Sequence, residues 1–340
     1  MPRGIGQLTS FENLSTFMVA KDNSVSKHSG RLGELRDLNN LGGYLEIMNL
    51  QHFPPLDQFP SLKRLTIDNL TDLESMESGI NCDNVLFFPS VEKLWLSTCP
   101  NLKGWRRDSS TPQLLQFHCL DYLEIMSCPN LTSMPLIKSV QHLALVNASK
   151  KSLEDILKMR ISVSQSTSSC SLISPSQLKI LQIENIHDLE FLPEELLPEE
   201  LDLPDSEDHR DMPWQYLRSL REFQLINMNK LASLPKGLQH VPTLRKLSID
   251  SCPNLKSLPE WMESLTKLQY LWIKLCPQLS ERCKNNIGVD WPKIARIPNI
   301  SIDDRWIQLY GCYKLGSEES DRLLLGYLAI FSLKSQSSCS

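Results

Sequence analysis

The sequence predicts an α/β solenoid: a curved coil with a parallel β-sheet on its concave face and irregular or short helical segments on its convex face. Three observations predict it. First, LPKGLQHVPTLRKLSIDSCPNL (234–255) overlays LPEWMESLTKLQYLWIKLCPQL (258–279) at a shift of 24 residues without a gap. Second, the strand half of their shared pattern, L-x-x-L-x-[IL]-x-x-C-P-x-L, recurs from Leu62, Val91, Leu120, Val140, Leu178 and Leu220, and more loosely in GYLEIMNL ending at Leu50. Third, the nine units are spaced 20 to 42 residues apart, so the strand segment is regular and the return segment is not.

The pattern is the leucine-rich-repeat signature. In each short strand alternate residues, such as Leu247 and Ile249, point inward. One unit cannot bury its own apolar edge, whereas stacked units share a continuous core. The residues between them must then face outward on the concave sheet. Alternation gives a first outward column of Tyr44, Arg64, Lys93, Tyr122, His142, Ile180, Glu222, Lys246 and Tyr270. A middle column runs from Glu46 through Trp95, Glu124 and Ala144 to Trp272, and a third from Met48 to Lys274.

Four cysteines share one context: Cys99, Cys128, Cys252 and Cys276 are each followed by proline and, after one more residue, by leucine. They fall directly beyond the strand, where other units carry Leu70, Ile186 and Met228. A slot that accepts these residues wants a small or medium hydrophobe, so the cysteines are expected to be buried and structural. Zinc would need a second ligand nearby, and no C-x-x-C or H-x-x-x-H pair supplies one. Cys252 and Cys276 would stand one strand apart, which makes a disulfide conceivable, but a cytoplasmic location keeps thiols reduced.

Composition excludes several classes. A net charge of −5 argues against a nucleic-acid partner, which demands a basic patch. The apolar run LLLGYLAIF (323–331) is about half of the roughly 20 residues needed to span a bilayer. The first residues form no apolar signal segment, so the expected location is cytoplasmic, away from membranes. The seven histidines follow no H-E-x-x-H spacing, no G-x-S-x-G elbow occurs, and no G-x-x-x-x-G-K-[ST] loop cradles a phosphate. Neither an enzyme nor a cofactor is expected.

The C-P-x-L units, the linking S-L-P-x-x-[LM] phrase, the opening MPRGIGQLTSFENLSTFMVAKD and the closing CPQLSERCKNNIGVDWPKIARIPNISID resemble plant intracellular disease resistance proteins. More narrowly, they resemble the leucine-rich-repeat region of the coiled-coil class of nucleotide-binding immune receptors, over roughly residues 1–304. The resemblance implies a module that recognises a protein, a pathogen effector or a guarded host protein, and restrains the receptor's nucleotide-binding domain. Met1 aligns with Leu234, and Phe11 and Leu14 with Leu244 and Leu247, so the chain is expected to start mid-repeat, as a fragment or truncated form. An alternative is a substrate-adaptor repeat protein of a ubiquitin ligase, which needs an F-box that this sequence does not show.

Residues 1–304 are thus read as one leucine-rich-repeat domain with insertions at 147–177 and 193–216, and 305–340 as a non-repeat tail, poorly ordered or loosely packed. The first insertion has helical apolar spacing at Leu153, Ile156, Leu157 and Ile161. The second holds nine acidic residues between Pro193 and Asp211: either a solvated outer loop or a docking surface for a basic partner. The candidate partner-binding residues lie on the concave face. They are Trp95 with Tyr122 and Glu124, and Tyr270 and Trp272 with Lys246 and Lys274. Tryptophan and tyrosine most often dominate binding energy, and in the resembled family the last repeats tend to face the ligand. The other reading is that these aromatics stack on one another and cover the sheet.

Overall fold

A computed structural model of the chain describes residues 16–18, 43–48, 62–71, 74–77, 90–106, 119–131, 139–154, 177–192, 214 and 217–313. The nine strand phrases form β2 (Gly43–Met48), β3 (Leu62–Asp68), β5 (Lys93–Ser97), β7 (Tyr122–Met126), β8 (His142–Val146), β9 (Ile180–Glu184), β10 (Glu222–Ile226), β11 (Lys246–Asp250) and β12 (Tyr270–Lys274). β1 (Thr16–Met18) precedes them, and β13 (Asn299–Ile302), β14 (Arg305–Leu309) and β15 (Cys312–Tyr313) follow. These strands form one 13-stranded sheet in chain order, parallel from β1 to β13. β4 (Ser75–Glu77) and β6 (Gly104–Arg106) pair in a separate small sheet. The chain is a leucine-rich-repeat solenoid.

The register reproduces the first outward column: Tyr44, Arg64, Lys93, Tyr122, His142, Ile180, Glu222, Lys246 and Tyr270 stand side by side on successive strands. β1 departs from the expected alignment by one residue. Aligning Leu14 with Leu247 puts Thr16 level with Ile249, but Thr16 pairs with Glu46, at the level of Ser248. Such a slip exchanges the two faces of a strand. Phe11 and Leu14 themselves lie outside the described residues. Elsewhere the leucines and isoleucines of the repeat fill one continuous core, from Leu45 to Ile302.

The strand exit repeats as faithfully as the strand. Asn69, Thr98, Ser127, Asn147, Asn185, Asn227, Ser251 and Leu275 are all left-handed, with φ between 50° and 56°. The first seven donate their N–H to the last carbonyl of the next strand, at 2.9–3.1 Å, adding one rung to the ladder. This conformation turns the following residue inward. Leu70, Cys99, Cys128, Ala148, Ile186, Met228, Cys252 and Cys276 are accordingly buried. The cysteine thiols donate to the carbonyl two residues back, at 3.1–3.3 Å. Cysteine thus serves as a small hydrophobe with a weak donor. A hydrogen bond with the neighbouring cysteine, then burial, pushes the Cys128 and Cys252 thiols far above their ordinary range. In C-P-N-L phrases the asparagine reaches back one unit: Asn101, Asn130 and Asn254 donate to the carbonyls of Thr71, Pro100 and Asn229, each at 2.7 Å.

The insertions are described only at their ends. Residues 150–154 are helical, with Ser149 accepting from the Ser152 N–H and Leu153 fully buried, in keeping with the helical spacing. The rest of that helical phrase and all of the acidic segment 193–213 lie outside the described residues. The second insertion returns through Trp214, which is a core residue. It is fully buried, meets Phe223 edge-on at 5.5 Å, and covers Gly237, where a Cβ would come within 2.3 Å of the indole.

Beyond the repeats the chain does not loosen at once, as the sequence suggested. Asp303–Asp304 (φ 48° and 62°) and Tyr310–Gly311 (φ 53° and 75°) are two tight left-handed turns that fold β14 back antiparallel onto β13, and β15 back antiparallel onto β14. Paired left-handed residues match the twist of a hairpin. β14 thereby covers the open edge of the sheet, and buried Gln308 donates to the Ala295 and Ile297 carbonyls. Residues 314–340 lie outside the described residues.

Leucine is poorly suited to the left-handed exit, since it has no polar side-chain group to hydrogen-bond locally and offset the clash of Cβ with the following carbonyl, as asparagine has. Leu275 is 62% exposed, so little packing would be lost. Leu275→Asn should therefore stabilise the protein by about 0.5–1 kcal/mol in urea unfolding.

Candidate functional site

The strands present their outward residues on one continuous concave surface, and two aromatic clusters stand on it. In the first, Trp95 (β5) and Tyr122 (β7) lie 5.3 Å apart between ring centroids, tilted at 42°. Tyr122 meets His142 (β8) edge-on at 4.6 Å and donates its hydroxyl to Glu124 at 2.6 Å. Desolvation lowers the His142 pKa, against the pull of nearby carboxylates, and leaves its Nε2 buried without a partner among the described residues. Ala144, expected to face outward, is only 2% exposed: a methyl group does not rise past its register neighbours Glu124 and Gln182.

In the second cluster, Tyr270 and Trp272 of β12 stack at 5.7 Å and 28°. Lys246 reaches over both rings, its Nζ 5.9 Å from the tyrosine centroid and 5.6 Å from the tryptophan centroid. Glu222 holds that lysine at 3.4 Å and accepts from Gln224 at 2.7 Å. Lys274 pairs with Asp304 at 2.9 Å, which raises its pKa. Trp272 stands in register between Ser248 and Ser301, so short side chains flank the indole on both sides. Trp95 and Trp272, the two indoles, are six strands apart, on the order of 29 Å along the sheet. The rings stack in pairs and remain half-exposed.

The second cluster lies beside the terminal coil, which a charge network around buried Asp290 ties to the preceding unit. Asp290 is fully buried. It accepts two bonds from Arg282, at 2.8 and 3.0 Å, one from Lys293 at 2.9 Å, and one from the Leu258 N–H at 3.0 Å. Lys293 also donates to the Leu258 carbonyl at 2.7 Å and pairs with Glu260 at 2.8 Å. The phrase SERCKNNIGVDWPK thereby clamps the short helices Pro277–Arg282 and Trp291–Ile294 to the preceding unit. Sequence reasoning noted that phrase only as a resemblance. The closely spaced Arg, Asp and Lys were the available signal.

Among the described residues no group of three or more His, Cys, Asp or Glu is placed to hold a metal, and no helix is long and apolar enough to cross a membrane. No protein-family model matches the sequence, and no curated protein matches it. Several solved structures are similar. The leucine-rich-repeat domain of the type III effector XopL is 20% identical, over 73% of this chain and 65% of that one, with a TM-score of 0.36. An internalin, InlF, from Listeria monocytogenes is 13% identical over 80% and 69%, with a TM-score of 0.32. The plant peptide hormone receptor RGFR1, solved in complex with RGF2, is 13% identical over 81% and 39%, with a TM-score of 0.28. The match spans just under two thirds of the XopL domain. The fold assignment here rests on the parallel ladder and the buried exit slots themselves.

Burial alone would push the Asp290 carboxyl up, but the bonds from Arg282, Lys293 and Leu258 outweigh it and hold it below the ordinary range. The network's contribution is therefore complete above the ordinary carboxylate pKa of about 4 and fades as pH falls through the lower folded value. Asp290→Ala removes the fully buried carboxylate that Arg282 and Lys293 share, leaving the Lys293 ammonium to exposed Glu260 and the Leu258 carbonyl, and should cost about 3–5 kcal/mol at neutral pH. In urea unfolding the gap between variant and wild type should shrink toward pH 3.

Proposed function

We propose that this chain is a protein-recognition module of a plant intracellular immune receptor. In this reading its concave face binds a pathogen effector or a guarded host protein, and the module restrains a nucleotide-binding switch domain in the cytoplasm. The receptor assignment is supported by the resemblance of the C-P-x-L units and the closing phrase. The observation that carries recognition is Trp272: a half-exposed indole flanked by serines, stacked on Tyr270 and held under Lys246. A rigid aromatic so placed buries a large area at low entropic cost when a partner seats on it. Trp95, beside Tyr122 and Glu124, forms a secondary anchor. Lys274 and Asp304 make a polar rim to the first anchor. No nucleotide, metal or membrane enters this reading.

The test is selection of a partner from displayed plant and effector proteins, followed by titration against single variants whose folding is verified by circular dichroism. Trp272→Ala should weaken binding by about 2 kcal/mol or more, the usual scale of a dominant anchor. Trp95→Ala should weaken it less, and Glu263→Ala, on the outer 3-10 turn Glu260–Ser264, should leave it unchanged. Tryptophan variants that fold and bind like wild type would overturn the concave-face reading.

A further inference from the structure

The sheet carries a fourth column of side chains, at the rim where the strands begin. Backbone bonds of 2.7–2.9 Å place Lys63, Glu92, Asp121, Gln141, Lys179, Arg221, Arg245 and Gln269 on successive units, one rung each. The first half of this column is compensated: Lys63 pairs with Glu92 at 3.1 Å, and Asp121 follows. The second half is not. Lys179, Arg221 and Arg245 stand on three consecutive strands, roughly 4.8 Å from one to the next.

Among the described residues no carboxylate pairs with this second half. Glu222, the acid adjoining Arg221, faces the concave side and is engaged by Lys246 and Gln224. Lys179 bonds the neutral Gln141. Among the described residues Arg221, Arg245 and Lys267 are exposed and form no ion pair. Below Arg245 the rim opens into a pocket of about 430 Å³, in which Lys267 and Arg296 join Arg245 over a floor of Leu265, Leu268 and Pro298. Arg296 spends one N–H on the Met262 carbonyl, at 2.7 Å. Like charges directly opposite on neighbouring strands are destabilising. Here five of them share one rim of a chain whose net charge is −5.

We infer that this basic rim, centred on Arg245, Lys267 and Arg296, is a docking site for an acidic segment of a partner protein, separate from the aromatic concave face. Guanidinium forks pair with carboxylates through two parallel bonds, so a carboxylate-rich segment laid across the strands converts repulsion into pairing. The Lys179–Arg245 span of three strands is on the order of 10 Å, matching about three residues of extended peptide. A nucleic acid fits less well. No aromatic side chain lines the pocket to stack on a base, and the chain's overall negative charge repels a long polyanion.

The test uses the full 340-residue chain and a fluorescein-labelled oligoglutamate peptide, read by fluorescence anisotropy at low salt and at about 0.15 M NaCl. Oligolysine and oligothymidylate carry the same label. Oligoglutamate should bind saturably, more weakly at the higher salt. Arg245→Glu with Lys267→Glu should lower its affinity at least about tenfold, while Trp272→Ala should leave it unchanged, which separates this site from the concave anchor. The double variant should melt no lower than wild type, because repulsion has been removed. Should it fail to fold, Arg245→Gln alone, an exposed neutral change, should still cost several-fold in affinity. Absence of saturable oligoglutamate binding, binding that survives these substitutions, or oligothymidylate binding as tightly would each overturn the proposal; the last would put nucleic acid in its place.

Discussion

Every other feature of this solenoid depends on the bond that carries each unit into the next at the strand exit. A residue with φ near +50° closes each of the seven repeat strands from β3 to β11, and its N–H reaches the final carbonyl of the following strand. That one conformation lengthens the ladder by a rung, gives the exit N–H a partner, and swings the next side chain into the core. The occupants are those that tolerate the left-handed region, asparagine above all, and their side chains also link units: Asn147 donates to Ser127, and Asn185 to Asn147. The conserved geometry of the exit, not the length of the return, fixes the register. Consecutive units can therefore be 20 or 42 residues apart and still align.

Register in turn makes the surface. Because each strand faces its neighbour residue for residue, side chains far apart in sequence become adjacent on the concave face. Trp95 thus meets Tyr122 across one strand spacing, and Trp272 is left between serines. The same alignment builds the basic rim from residues that the sequence scatters among five successive units. The terminal coil protects this alignment at one end. Its buried Arg282–Asp290–Lys293 network and the returning hairpin of β14 close the last repeats, where the stacked Tyr270–Trp272 pair is presented.

The fold was legible because alternation leaves little freedom: once Leu247 and Ile249 face in, Lys246 and Ser248 face out. The cysteine slot was legible from its other occupants, Leu70, Ile186 and Met228. The left-handed exit escaped notice because its occupants, Asn, Ser, Thr and one Leu, share a conformation rather than a chemistry. β14 and β15 were missed because the reading followed the repeat and stopped where the repeat stopped, although Asp303–Asp304 and Tyr310–Gly311 are turn signals. Trp214 was missed because it follows an acidic run, Pro193 to Asp211, that reads as a solvated loop or a docking surface rather than as a lead into the core. Of the candidate site, the columns were legible, but the pairings were not. Whether Tyr270 stacks on Trp272 or stands free depends on rotamers that only the packed neighbours decide.

The central claim, that the exit bonds knit the units together, is tested most directly by amide hydrogen exchange at Asn69, Thr98, Ser127, Asn147, Asn185, Asn227 and Ser251. The account predicts protection at these amides equal to that of the strand interiors, since each is a rung of the same ladder. Exchange at the rate of exposed loop amides, with the strands still protected, would contradict it.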